Sequence, residues 1–278
     1  MLLRLPAAVL LLAALHLAVP AQAAVTLTPL TDNVMLPVPA LLPGDTATGQ
    51  MHIDLTYLMP QGDTAAARIG RALHAAFFFA PVWGDGEDSR PFPAEPAAAL
   101  ADFRGRIVAE YQAAMAGGDT EMPLFARCWE YEQRLELHAR ARGTLTLAQS
   151  FITYTGGAHG LYGVSYLVFD EETGERIGLA DLFTPGSDTR ITRHLERCFR
   201  TANDIPDTQP LAELLNVATI PVTDNFSLDE TGITFRYNPY AIACYAAGAI
   251  DITVPWPMLQ DCLCPDGISL RFRPTGGR

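Results

Sequence analysis

The chain reads as an α+β protein in which antiparallel sheets carry helices on one face, arranged as two subdomains. Three features of the sequence point there. Runs of alternating apolar and polar residues recur from Gln50 towards the C-terminus. Stretches with helical spacing interrupt them twice early and once late. Turns containing Gly or Pro separate many of the runs at hairpin length.

Taken in order, Val25 to Thr48 is rich in Pro, Thr and Asp and reads as an extended lead-in. Gln50 to Met59 alternates cleanly, with Met51, Ile53, Leu55 and Tyr57 on one side and His52, Asp54 and Thr56 on the other. That is a half-buried strand with a solvated His52. Asp63-Thr64 can cap a helix reaching about Phe79, with Ile69, Leu73 and Ala76 on one stripe. Trp83 to Pro93 is a loop, and Pro96 opens a second helix carrying Leu100, Phe103, Ile107 and Tyr111 to a stop at Gly117-Gly118. Strands follow at Trp129–Arg140, Thr144–Tyr154 and Leu161–Asp170, the first two joined by an Arg142-Gly143 turn. Leu179 to Phe183 is a short helical piece, and Thr189 to Thr201 is a helix with a charged, solvated face. A hairpin over Phe226–Tyr237, a strand over Ala249–Val254 and a last strand over Ile268–Phe272 complete the pattern. The expected division is 1–23 signal peptide, 24–48 lead-in, 49–155 N-terminal subdomain and 156–278 C-terminal subdomain.

The first residues have the layout of an export signal. Arg4 begins it, Ala7 to Val19 is apolar apart from His16, and Ala21-Gln22-Ala23 fits a small-x-small cleavage site. The apolar run is shorter than the roughly 20 residues that a bilayer span needs. A cleaved leader implies a periplasmic or secreted protein without a membrane span. The chain carries 19 basic residues, all Arg, against 31 acidic ones, for a net charge of −12. Such a balance disfavours nucleic acid and anionic membrane, and suits a cationic protein ligand.

Five cysteines, Cys128, Cys198, Cys244, Cys262 and Cys264, sit in a chain whose export permits disulfides. Their odd number leaves connectivity open, with Cys244 bonding to Cys262 or Cys264 as the favoured pairing. No His stands at zinc-ligand spacing near Cys262-Leu263-Cys264, so no metal or cofactor is expected.

Two segments stand out as recognition candidates. Tyr154-Thr155-Gly156-Gly157-Ala158-His159-Gly160 offers a glycine loop that can expose His159 or present backbone N–H groups. Tyr237-Asn238-Pro239-Tyr240 through Tyr245-Ala246-Ala247-Gly248 places tyrosines around a Pro-broken loop. The ligand-binding candidates are therefore Tyr154, Gly156, Gly157, His159, Asn238, Tyr240 and Tyr245. In each segment a purely structural role competes with binding. Catalytic signals are mostly negative. There is no Gly-x-Ser-x-Gly elbow, no His-Glu-x-x-His and no phosphate loop. His159 as a general acid or base would need an orienting carboxylate, and Asp170, Glu171 and Asp181 are near it only in sequence.

These segments also carry a family resemblance. Thr155-Gly156-Gly157-Ala158-His159-Gly160, a strand, Thr173-Gly174, Leu179-Ala180-Asp181-Leu182-Phe183, Gly232-Ile233-Thr234-Phe235 and Asn238 to Gly248 occur in that order. The order resembles a bacterial family of unknown function, the C-terminal domain shared by RsiV-type anti-sigma-factor receptors and PdaC-type peptidoglycan deacetylases. The resemblance spans about Thr144 to Leu270. It implies a sensor-like domain for a cell-wall glycan or a wall-directed protein such as lysozyme. The alternative is a wall hydrolase using His159. The receptors' cytoplasmic segment and the deacetylase catalytic domain have no counterpart here, so neither sigma-factor control nor deacetylation carries over. Cys244 replaces the family's usual proline, a further reason to expect a local disulfide.

Overall fold

The structure is a computed structural model that describes residues 25–38, 49–78, 91–117 and 123–273. The expected signal peptide and most of the Trp83–Pro93 loop lie outside the described residues. The first sheet has five strands in the order β1-β2-β3-β4-β5. They are β1 (Thr26–Pro37), β2 (Gln50–Gln61), β3 (Glu130–Ala141), β4 (Thr144–Tyr154) and β5 (Leu161–Asp170). The α+β class is as expected, but the sheet is mixed, because β2 and β3 run parallel. A parallel pair needs a long crossover. Here α1 (Thr64–Phe78), α2 (Pro96–Gly117) and the short α3 (Leu124–Arg127) lie between β2 and β3.

Within the expected lead-in, Thr26–Pro37 is a strand. β1 pairs antiparallel with β2 along its whole length. Its prolines, Pro29 and Pro37, are tolerated because β1 lies at a sheet edge, where a missing N–H need not break a ladder. The cap at α1 is as read: Ala65 N donates to Asp63 Oδ1 at 2.9 Å.

One face of the first sheet packs on α1 and α2. Met51, Ile53, Leu55 and Tyr57 meet Ile69, Leu73 and Phe77, with Leu100, Phe103 and Ile107 behind them. Phe103 sits centrally, its ring 6.1 Å from Phe77, 5.9 Å from Phe78 and 5.9 Å from Tyr131. Phe103→Ala removes a fully buried ring. The expected loss is about 3–5 kcal/mol, read as a lowered urea midpoint.

The second sheet has β6 (Phe226–Leu228), β7 (Gly232–Tyr237) and β8 (Ile250–Pro255) in that order, all antiparallel. Helices α4 (Leu179–Leu182) and α5 (Asp188–Ala202) precede it. Ile191, Leu195 and Phe199 of α5 share a core with Phe235, Ile252 and Val254. Strand β5 joins the two cores. Leu167 and Phe169 belong to the first and Val168 to the second, as the two-residue alternation of a strand allows. By hydrogen bonding β5 is part of the first sheet, which ends at Asp170.

The last expected strand, Ile268–Phe272, is instead a 3₁₀ turn over Gly267–Phe272. The Ser269 hydroxyl donates to the carbonyls of Cys264 and Asp266 at 2.8 and 2.6 Å, and Gly267 has φ +69°. Local side-chain bonding and the left-handed glycine curl the chain before it can extend. No described helix is long and apolar enough to cross a membrane.

Candidate functional site

The site begins with how the second sheet is fastened to the first. β5 is an edge strand, and its outward backbone groups need partners. Two asparagines that flank the β6–β7 hairpin supply them. Val164 N donates to Asn238 Oδ1 and Val164 O accepts from Asn238 Nδ2, both at 3.0 Å. Asn225 Nδ2 donates to Val164 O at 2.8 Å, and its Oδ1 accepts from Tyr166 N at 2.8 Å. Asn238, expected as a ligand contact, therefore has its amide engaged with the edge strand. Its effect on the site is to hold the following loop against the β4–β5 connection.

That connection is shaped by two glycines. Gly156 has φ +89°, and a Cβ there would stand 2.4 Å from the Ala126 carbonyl oxygen in α3. At Gly160 a Cβ would meet Thr153 O at 2.7 Å. Gly157 is different, with nothing nearer than 3.9 Å. Gly156→Ala combines a left-handed strain with a backbone clash, for an expected loss of about 2–4 kcal/mol. Gly157→Ala changes stability by no more than about 0.5 kcal/mol. Denaturant midpoints of the two variants check this contrast.

Between these constraints the loop delivers His159 to the β7–β8 connection. Its ring stacks on Tyr245 with centroids 4.0 Å apart at 22°. Gly160 O accepts from both His159 Nδ1 at 2.9 Å and the Tyr245 hydroxyl at 2.8 Å. Tyr245 also meets Tyr240 at 5.5 Å and Tyr162 edge-on at 5.9 Å. Four rings thus form one corner, with exposed Ile152 and Leu161 nearby on the strands that lead into it. Tyr240 is 56% exposed although it is a large aromatic residue, and its φ is +71°. Bulky residues seldom adopt that conformation, and it persists only where surrounding structure enforces it.

Register places charge beside the corner. His52, Glu130 and Tyr154 are successive cross-strand partners, as are Asp54, Glu132, Ile152 and Tyr162 in the adjacent row. Residues two apart on a strand share a face, so both rows line the sheet face turned away from α1 and α2. Arg134 pairs with Asp54 at 2.6 Å and with Glu132 at 3.4 Å. His52 Nε2 lies 3.3 Å from the Asn33 amide. The donor atoms of His52, Glu130 and Glu132 all lie within 4.8 Å of one another. His52, expected to be simply solvated, belongs to this row, and its link to Glu130 could not be seen before the parallel pairing of β2 and β3 was known. The face offers rings that can stack and carboxylates that can accept hydrogen bonds.

His159 has no carboxylate partner among the described residues. The sequence-near acids are occupied elsewhere. Asp170 accepts from Glu172 N and Thr173 N, Glu171 pairs with Arg140, and Asp181 caps α4 through Gly178 N. The expected disulfide is absent, and all five cysteines are free. Cys262 is buried in the second core, and the Cys264 Sγ lies 3.9 Å from Ala180 O. Cys244, next to Tyr245, is exposed. A second donor group, His194, Asp261 and Cys262, has its donor atoms within 4.8 Å of one another.

Residues 180–257 match the family model described as a protein of unknown function, DUF3298. This segment is thus similar to the DUF3298 family. The match takes in Asn238, Tyr240 and Tyr245, while Gly156 and His159 precede it. A DUF3298 family member from Bacteroides fragilis superposes with a TM-score of 0.68 at 23% identity, over 88% of this chain and 97% of that one. A DUF3298 family protein from Pseudomonas aeruginosa gives a TM-score of 0.56 at 18% identity, over 91% and 98%. The shared fold therefore extends well beyond the DUF3298 segment. No curated protein matches the chain.

Proposed function

We propose that this chain is an exported, sensor-like binding domain that recognises a cell-wall glycan or a wall-directed protein such as lysozyme. The observation that carries the reading is Tyr240, a solvent-exposed ring held at positive φ beside the His159–Tyr245 stack. Exposed, rigidly held tyrosines lose little conformational entropy when a partner covers them. Sugar rings stack on such faces, and a Lys or Arg of a cationic protein gains cation–π attraction there. Glu130, Glu132 and the net charge of −12 favour the cationic partner.

Export rests on the leader-like first residues, and the wall-directed ligand class rests on the resemblance to RsiV- and PdaC-type domains. The competing hydrolase reading would have His159 move a proton. It is weakened because the exposed ring has Nδ1 bonded to a backbone carbonyl and no carboxylate partner among the described residues. Two assays test the proposal on the mature chain: sedimentation with purified insoluble peptidoglycan and co-elution with lysozyme on gel filtration. Retention in either, lost when Tyr240 is replaced by Ala, is the expected result. No retention in both would overturn it.

A further inference from the structure

We propose that His194, Asp261 and Cys262 form a binding site for a borderline-soft divalent metal ion, with zinc the best match. His194 lies on α5, whereas Asp261 and Cys262 lie in the turn after the 3₁₀ segment Trp256–Met258. Their imidazole, carboxylate and thiol donors come within 4.8 Å of one another. In a tetrahedral zinc centre with Zn–S of ~2.3 Å and Zn–N of ~2.0 Å, donor atoms stand roughly 3.5 Å apart. Small side-chain rotations close the difference.

Of the three donors, His194 is free, and the other two face each other and Arg190. His194 makes no hydrogen bond or ion pair among the described residues. Asp261 is exposed, with Oδ1 3.6 Å from Cys262 Sγ and Oδ2 3.9 Å from Arg190. The other donor group is less free. There Glu132 is paired with Arg134, and His52 Nε2 faces the Asn33 amide.

Cys262 is held in place by its backbone. Its carbonyl accepts from Thr184 N at 2.9 Å and Thr184 Oγ1 at 3.2 Å, and its N–H donates to Leu259 O at 2.9 Å. The cysteine residue is fully buried while the Asp261 side is open to solvent. The ion would thus cover the thiolate from outside and leave a fourth position for water or an added ligand. Thiolate and carboxylate together balance the charge of a dication. Arg190 is the unfavourable neighbour: its guanidinium lies 3.9 Å from Asp261 Oδ2 and also contacts the Cys262 thiol, so it must swing aside for the ion to enter. The ion would tie α5 to the turn that follows the second sheet. The donor set could not be read from the spacing of Cys262 and Cys264, because the imidazole comes from a distant helix.

Cobalt(II) titration of the reduced, metal-stripped chain tests the site, because a cobalt–thiolate bond gives near-ultraviolet charge-transfer absorption that carboxylate or imidazole alone does not. One cobalt per chain with this absorption is expected, displaced by zinc and retained in Cys264→Ser. Cys262→Ser should abolish the band, and His194→Gln should weaken binding at least ~tenfold. No band in the parent chain, or a band unchanged in both variants, overturns the proposal. If Cys262→Ser fails to fold by circular dichroism, His194→Gln decides. It alters only a half-buried helix position, and unchanged cobalt affinity there also overturns the site.

Discussion

Replacing Asn225 and Asn238 together by leucine should destabilise the protein by about 3–5 kcal/mol. The two amides satisfy Val164 N, Val164 O and Tyr166 N on the edge of the first sheet. Leucine has a similar size but no polar atoms, so all three backbone groups lose their side-chain partners. Each unsatisfied buried group costs about 1–3 kcal/mol, and these sites are half-buried, which puts the total in the lower part of the range. The single variants should each cost less than the pair. Asn225→Leu orphans Tyr166 N but leaves Asn238 on Val164, and Asn238→Leu leaves Asn225 on Val164 O. Urea unfolding of the three variants is the measurement. A double variant within 1 kcal/mol of the parent would show that the asparagines are not what fastens the sheets together.

Tyr245→Ala should lower affinity for the wall-directed ligand by about a hundredfold, or ~2.7 kcal/mol. Tyr245 touches every other part of the corner. It stacks on His159, meets Tyr240 and Tyr162, and donates to Gly160 O. Removing it frees the loop and leaves Tyr240 without its neighbour, so ordering that was present before binding must then occur during it. Tyr245→Phe separates the two contributions. It keeps the stack, loses only the bond to Gly160, and should weaken binding about tenfold or less. Stability should change little in the Phe variant, because Tyr245 is only half-buried. Titration of each variant with the ligand that the parent binds checks the order.

Much of this fold was legible where a single period ran long enough. The alternation of Met51, Ile53, Leu55 and Tyr57 and the helical spacing of Leu100, Phe103, Ile107 and Tyr111 each correspond to an observed buried face. What the period could not show was pairing. The parallel match of β2 with β3 depends on the crossover as a whole, and β1 read only as an extended segment, with nothing local to show that it pairs at a sheet edge. The Ile268–Phe272 segment has strand-like residues, but Ser269 and Gly267 bend it locally.

The site divides in the same way. Its loops were marked by Gly156 and by the tyrosines, because left-handed turns and aromatic loops leave a local signature. The Asn238 clamp and the His52–Glu130 row have none. They arise from contacts between residues far apart in sequence, and an asparagine that ties two sheets together looks the same in sequence as one that meets a ligand.

Calorimetric titration of the mature chain with lysozyme, and separately with soluble peptidoglycan fragments, tests the central claim most directly when a His159→Ala, Tyr240→Ala double variant is run beside it. The account predicts saturable heat with one ligand and its loss in the variant. Binding that survives in the folded variant would place recognition elsewhere, and no heat from either ligand would contradict the wall-binding reading itself.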